Sequence, residues 1–460
     1  METKEEMPKR VIKAAVIILL SSIAVHFACT VLLVHLGDSQ VWPIIMQSVE
    51  SGNDTYGIMA DYYTPLWGYM LAFLSMLNDL FGAVPVFGDR FTELLPYLDT
   101  LRSWKVSVIS PELNMAIKFP LGVFDAAVGW QIFCIVRKYR PDRDALIAMA
   151  MWCFCPICIY MTAVQGQFDC VCVLLFLLAV RWAGWGRPFA AGMAFALSVW
   201  LKVFPAVAIL ALTGYVWSIR REHGDQVRQV LLAVLGASIV SVVVMLPPLM
   251  EGELDDVFLF LTARTADGGD PWYFIIRQAL MALLIIGIML WSFRKSLRDR
   301  PAFSEQDLIL ISGALIAMAT LLHRGYQYAP ETLAFMILAY GIAEDRRGYY
   351  AAYTGFWFFA AAEAALHAGP AALTIDSVYY GWFALDPFVA LAVAYGNVDL
   401  TLLEGACAAG WTVFEWMFVA LALYDASKIR LPRAGPYIDR IRTALTPVAR
   451  RRAAAGGTAR

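Results

Sequence analysis

The sequence predicts an all-α polytopic membrane protein with about twelve membrane segments, and three observations predict it. Of its 460 residues, 60% are hydrophobic and 16% charged, and the mean hydropathy is +0.62. That leaves too little charge to cover a water-facing surface. Apolar runs recur from Val11 to Tyr424, most of about 16 to 25 residues, where roughly 20 cross the ~30 Å hydrocarbon core. The runs lack the every-second-residue alternation of barrel strands, so helices are left to satisfy the backbone in lipid.

The first run, Val11–Val34, is too long for a signal-peptide core and has no convincing cleavage site, so it is expected to stay as the first span. Lys and Arg then fall in clusters: Lys4, Lys9 and Arg10; Arg137 to Arg143; Arg181 and Arg187; Arg220 to Arg228; Arg294 to Arg300; Arg346 and Arg347; and the tail from Lys428. The positive-inside rule assigns each cluster, and both termini, to the cytoplasm. The intervening loops are acidic, with Asp38, Asp54 and Asp61 in one and Glu251 to Asp270 in another.

With Val11–Leu36 running outward and Lys118–Val136 inward, Thr64–Phe81 cannot be a full crossing. Residues 37–117 are therefore expected to form a long extracytoplasmic loop carrying interfacial helices, too rich in Trp, Tyr and Leu for disorder. About 32 residues separate Arg187 from Arg220, whereas two full spans need about 40. That segment is expected to be a V-shaped pair of short helices broken around Lys202 to Pro205, with Lys202 near the outer end.

Further crossings are expected near residues 144–163, 168–184, 227–249, 272–293, 307–322, 328–343, 349–367 and 402–424, and 368–401 has room for another interfacial or re-entrant helix. Residues 1–427 read as one integral membrane domain, and 428–460 as a basic cytoplasmic tail. Cys153, Cys155, Cys158, Cys170 and Cys172 lie inside apolar runs without paired CxxC blocks, which makes them small packing residues.

Polar residues then gather at the outer boundary. Asp38 follows the first span, where a carboxylate is either a solvated loop acid or a proton acceptor. Asp61-Tyr62-Tyr63-Thr64-Pro65-Leu66-Trp67-Gly68-Tyr69 opens the interfacial helix, its rings either an interface belt or a platform for a sugar or polyprenyl chain. Gln165-Gly166-Gln167-Phe168-Asp169 is a tight polar turn whose amides and carboxylate suit sugar hydroxyls equally well. His323-Arg324-Gly325-Tyr326 puts an arginine on the acidic side, which calls for an anionic partner or a neighbouring acid. Lys118 and Asp125, on one helix face, read as a structural ion pair. An acid near Lys202 and Arg324 is the arrangement expected for transfer from a lipid-linked phosphate.

In order and spacing, these motifs resemble the GT-C superfamily of glycosyltransferases over about residues 10–345. Gly37-Asp38 is similar to the family's catalytic acid position. Asp61-Tyr62-Tyr63-Thr64-Pro65-Leu66 resembles its Asp-Tyr-Pro-Pro-Leu entry to the interfacial helix, with Thr64 for the first proline. Gly166-Gln167-Phe168-Asp169 and the Lys202-Val203-Phe204-Pro205 break resemble a polar turn followed by a broken, lysine-containing helix. His323-Arg324-Gly325-Tyr326 resembles a late His-Glu-x-Tyr motif, with Arg324 where Glu is expected. The match looks closest to bacterial relatives of GPI mannosyltransferase II and of the ER glucosyltransferases of N-glycan assembly.

The resemblance implies an inverting transfer of a hexose from a polyprenyl-phosphate donor to a lipid, glycan or protein acceptor outside a bacterial plasma membrane. Asp38 would be the base, Lys202 and Arg324 would bind the donor phosphate, and Asp61, Tyr62, Gln167, Asp169, His323 and Tyr326 would contact sugar or acceptor. No metal, other cofactor or nucleic acid is expected. Two rivals fit the same helices: a transporter or lipid flippase, and a polysaccharide polymerase or ligase using a diphosphate-linked donor.

Overall fold

A computed structural model of the chain describes residues 7–33, 64–81, 111–219, 223–255, 271–298, 303–323, 325–368 and 398–428, with the single positions 42, 45, 257 and 394. Every regular element among the described residues is helical. In chain order they are α1 (Lys9–Leu32), α2 (Pro65–Phe81), α3 (Pro111–Val136), α4 (Asp142–Cys153), α5 (Pro156–Ile159) and a π-helical turn (Tyr160–Val164). Next come α6 (Asp169–Gly184), α7 (Pro188–Leu201), a 3₁₀ turn (Phe204–Ala208), α8 (Ile209–Ser218), α9 (His223–Glu251) and α10 (Pro271–Arg298). The chain continues through α11 (Glu305–His323), a second 3₁₀ turn (Tyr326–Tyr328), α12 (Ala329–Ile342), α13 (Arg347–Ala368) and α14 (Thr401–Ser427).

Six of these helices are long and apolar enough to cross a membrane: α1, α3, α9, α10, α11 and α14. A seventh span appears if α4 and the helix beginning at Pro156, bent by 46°, are taken together. The bend follows from Pro156, which lacks the N–H that would continue the α4 ladder. The apolar runs expected at 168–184 and 328–343 fold as the shorter helices α6 and α12, so the expected dozen includes segments below full-crossing length. α11 and α12 are apolar and buried nearly all round, as central helices must be. α1, α9 and α10 instead leave Leu20, Val242 and Leu283 exposed, the pattern of a lipid-facing perimeter.

The expected hairpin is visible in detail. α7 ends at Leu201 and Lys202 is extended (φ −146°, ψ 139°). After the 3₁₀ turn, α8 runs back. A Cβ placed on Gly184, three residues before Arg187, would lie 3.2 Å from the Tyr215 hydroxyl, so α8 ends near the level where α6 ended. α7 packs on α9 at backbone contact: a Cβ on Gly192 would fall 1.9 Å from the Ala233 carbonyl oxygen, and one on Gly236 2.2 Å from that of Phe189.

Charged groups from the basic clusters meet at one end of the bundle. Lys138 pairs with Glu305 (2.8 Å), Arg346 with Asp144 (2.6 Å), Arg137 with Asp142 (2.6 Å) and Lys295 with Asp307 (3.1 Å). The hydrogen bond to Asp144 holds the Arg346 guanidinium above its ordinary pKa. The turns at Gln165 and Tyr326 and the Lys202 break occupy the opposite ends of these helices.

Candidate functional site

The site is built where α6, α7 and α12 begin or end. The Tyr160–Val164 turn closes with Gln165 N–H donating to Tyr160 O (2.9 Å), and Gln167 N–H then donates to Met161 O (2.8 Å). Widened turns of this kind recur at functional positions. Gly166 has φ +75°, and a Cβ there would sit 3.0 Å from Lys118 Cε and 3.4 Å from Trp42 Nε1, so both conformation and space require glycine. The turn delivers Phe168 and Asp169 to the start of α6, where a carboxylate favours the helix dipole.

Pro205 explains the break at Lys202. It lacks the N–H that would reach back to Leu201 O, and the Thr64 hydroxyl donates to that carbonyl instead, at 2.8 Å. The Lys202 ammonium pairs with Asp169 Oδ1 and, at 3.4 Å, with Glu331 Oε1. It also lies 4.8 Å from the centre of the Tyr328 ring and 5.7 Å from that of Phe168. All three charged side chains are buried. One cation thus faces two acids, and Asp169 Oδ2 and both Glu331 oxygens have no hydrogen-bond donor among the described residues. A deeper node adjoins it: Thr320 and Thr332 donate to Glu415 Oε1 at 2.9 and 2.8 Å.

Four motifs from distant parts of the chain therefore meet: the helix entry at Thr64, the turn ending in Asp169, the break at Lys202, and the turn holding Tyr328. Trp67 stacks on Phe168 at 4.3 Å, and Trp42 meets Trp67 edge-on at 5.3 Å. These rings are fully buried, which makes Trp67 part of the packing rather than a sugar platform. Tyr69 serves the same end, its hydroxyl donating to Val244 O at 3.0 Å. Gln167 is buried beside the cluster, while Tyr326 is half-buried between Tyr160 and His367. Asp38, Asp61, Tyr62 and Arg324, and the side chain of His323, lie outside the described residues.

The expected Lys118–Asp125 pair is replaced by two other contacts. Lys118 donates to Val164 O at 2.6 Å, and Asp125 faces His26 at 3.2 Å. His26 belongs to a polar stripe on α1 with Ser22, which donates to Cys153 O (3.2 Å), and Thr30, which donates to Ala163 O (3.3 Å). Their spacing of four residues puts all three on one helix face, so α1 is held in register against the bundle. Sequence reasoning missed Glu331 and His26, and it quoted Thr64 in the helix-entry motif without giving it a role. The available signal for Glu331 and His26 was an ionisable residue inside an apolar run.

The family model of Glycosyltransferase family 87 matches residues 119–256, 138 of the 460 residues. The matched segment runs from within α3 to five residues past the end of α9 and includes the Gln165–Asp169 turn and the Lys202 break. The chain is similar to that GT-C-type family there, which supports a membrane glycosyltransferase. No curated protein and no solved structure matches the chain.

Proposed function

We propose that the protein is an inverting GT-C glycosyltransferase of a bacterial plasma membrane. It moves a hexose, mannose or glucose, from a polyprenyl-phosphate donor to an extracytoplasmic lipid, glycan or protein acceptor. Both termini are cytoplasmic, and residues 37–117 form the outer loop. The observation that carries the reading is the convergence of Thr64, Asp169, Lys202 and Tyr328, together with the family match over the segment holding two of these motifs.

In this reading Asp38 accepts the acceptor hydroxyl's proton as the oxygen attacks the anomeric carbon. The bond from that carbon to the phosphate oxygen breaks, and polyprenyl phosphate leaves with the electron pair. Trp42, four residues beyond Asp38 in the chain, packs against Trp67 and Phe168, which supports bringing this segment to the Asp169 turn. Arg324 and Lys202 hold the phosphate. Because two carboxylates already oppose Lys202, the phosphate takes the place of the longer contact, to Glu331. Asp61, Tyr62, Gln167, Asp169, His323 and Tyr326 contact sugar and acceptor hydroxyls. A phosphate leaving group needs no strong general acid, so one carboxylate suffices where a glycosidase uses two.

The deciding experiment is a donor screen with purified, lipid-reconstituted protein. Transfer from a radiolabelled polyprenyl-phosphate hexose is expected, and none from diphosphate-linked oligosaccharides. The reverse preference would favour a polymerase or ligase, and vesicle flux without transfer a transporter.

A further inference from the structure

Far from the site just described, at the opposite end of the bundle, the N-terminal halves of α1 and α4 flank an open groove of about 520 Å³. Its walls are apolar, with Ile18 on α1 and Leu146 and Ile147 on α4, and its mouth carries Arg10 and Arg143. Val11 to Ile18 on one wall covers roughly 10 Å of helix rise, enough to take several methylenes of a chain running into the bilayer.

The charges at the mouth are unbalanced. Arg10 and Arg143 have no hydrogen bond or ion pair among the described residues, whereas their neighbours Arg137, Arg140 and Arg346 are engaged. Asp142 also lines the groove, but its carboxylate is taken by Arg137 at 2.6 Å. Asp144, nearby on α4, is hydrogen-bonded by Arg346, and Arg143 acts on it only at longer range. Lys9 and Lys13 on the first turns of α1 add further positive charge. Two free planar guanidiniums above an apolar trough are complementary to an anion attached to a hydrocarbon chain, because guanidinium matches phosphate oxygens bidentately while the trough takes the tail. A free phosphate would leave the trough empty, and a zwitterionic headgroup would set its own cation against the arginines.

We propose that this groove is a binding site for an anionic phospholipid of the surrounding leaflet, its phosphate between Arg10 and Arg143 and one acyl chain along Ile18, Leu146 and Ile147. The lipid lies along the open side of the α1–α4 contact, whose inner side is closed by the buried Val11 and Ala15. The site is independent of the donor site and of its chemistry.

The full chain, purified in mild detergent after exchange with equimolar phosphatidylglycerol and phosphatidylcholine, is examined by native mass spectrometry. Retention of phosphatidylglycerol over phosphatidylcholine by roughly thirtyfold is expected, the ratio that two arginines at about 1 kcal/mol each supply at a membrane surface. Arg10→Gln/Arg143→Gln should bring the ratio near one, and Ile147→Trp, which fills the trough at unchanged charge, should lower retention of both lipids. Arg298→Gln, at the end of α10, should leave the ratio as in wild type. Monodisperse elution of each variant shows that it is folded. No preference in the wild type, or an unchanged preference in the double variant, overturns the proposal. So does displacement of the lipid by inorganic phosphate, the mark of a free-anion site, or loss of a dimer on lipid addition, the mark of a second copy in the groove.

Discussion

The Thr64 hydroxyl donates to the Leu201 carbonyl at 2.8 Å, 137 residues away in the chain. It supplies the donor that Pro205 cannot, and so ties the entry of α2 to the lysine-bearing break. Thr64→Ala leaves a buried carbonyl unsatisfied, at a cost of about 1–3 kcal/mol. Thr64→Ser keeps the hydroxyl and should retain most of that stability. Thermal unfolding in detergent compares them, and equal midpoints for Ala and wild type would remove the bond from the argument.

Lys202→Ala tests two roles at once, because it leaves Asp169 and Glu331 buried and facing each other. Breaking a buried pair from one side costs about 3–5 kcal/mol, so this variant should unfold early or fail to accumulate. Lys202→Met/Asp169→Asn removes both members of the tighter pair and should restore folding. Its donor use should still be lost; full turnover in the double variant would leave Lys202 a purely structural group.

Glu331→Gln keeps the volume of the side chain and removes one of the two carboxyl groups that face Lys202. If the donor phosphate displaces Glu331, this variant should bind donor at least about threefold more tightly, roughly 0.7 kcal/mol. Weaker binding would mean that Glu331 contacts the donor directly.

Asp38→Asn is nearly isosteric but cannot accept the acceptor's proton. Turnover should fall by about 10² to 10⁴, or roughly 3–5 kcal/mol of barrier, while donor affinity survives. Turnover within about threefold of wild type would make Asp38 an ordinary loop acid and move the test to Asp61 and Asp169.

Topology is open to cysteine labelling in intact cells, in a background lacking the eight native cysteines. Cysteines at Ser51 and Ser377 should react from outside and one at Arg298 should not. Ser296, in the same stretch, is fully buried against Phe293 and would stay silent on either side.

The helices were legible because lipid imposes a length and a composition on each segment, and the apolar runs near 144–163, 227–249 and 402–424 fold as helices over nearly those residues. The break at Lys202 was legible because Pro205 withholds an N–H between two short apolar segments, although Pro120, Pro247 and Pro248 lie inside α3 and α9, which continue through them. Which residues touch was much less legible. Lys118 and Asp125 share a helix face, yet Asp125 faces His26 on another helix, and nothing local to either residue encodes that choice. Glu331 escaped for the same reason: its significance lies in Lys202, which precedes it by 129 positions.

The hairpin of α7 and α8 also bears on how the chain is made. At 14 and 10 residues, neither helix is long enough for bilayer thickness alone to retain it. Its backbone break relies on Thr64, synthesised earlier, and its helix face on Gly236 and Ala233, synthesised later. During biosynthesis the hairpin therefore has half its partners until α9 emerges. A nascent chain halted after Ser218 lacks the α9 backbone on which α7 closes at Gly192 and Gly236, so translation through α9 is the step that completes the support of the Lys202 break.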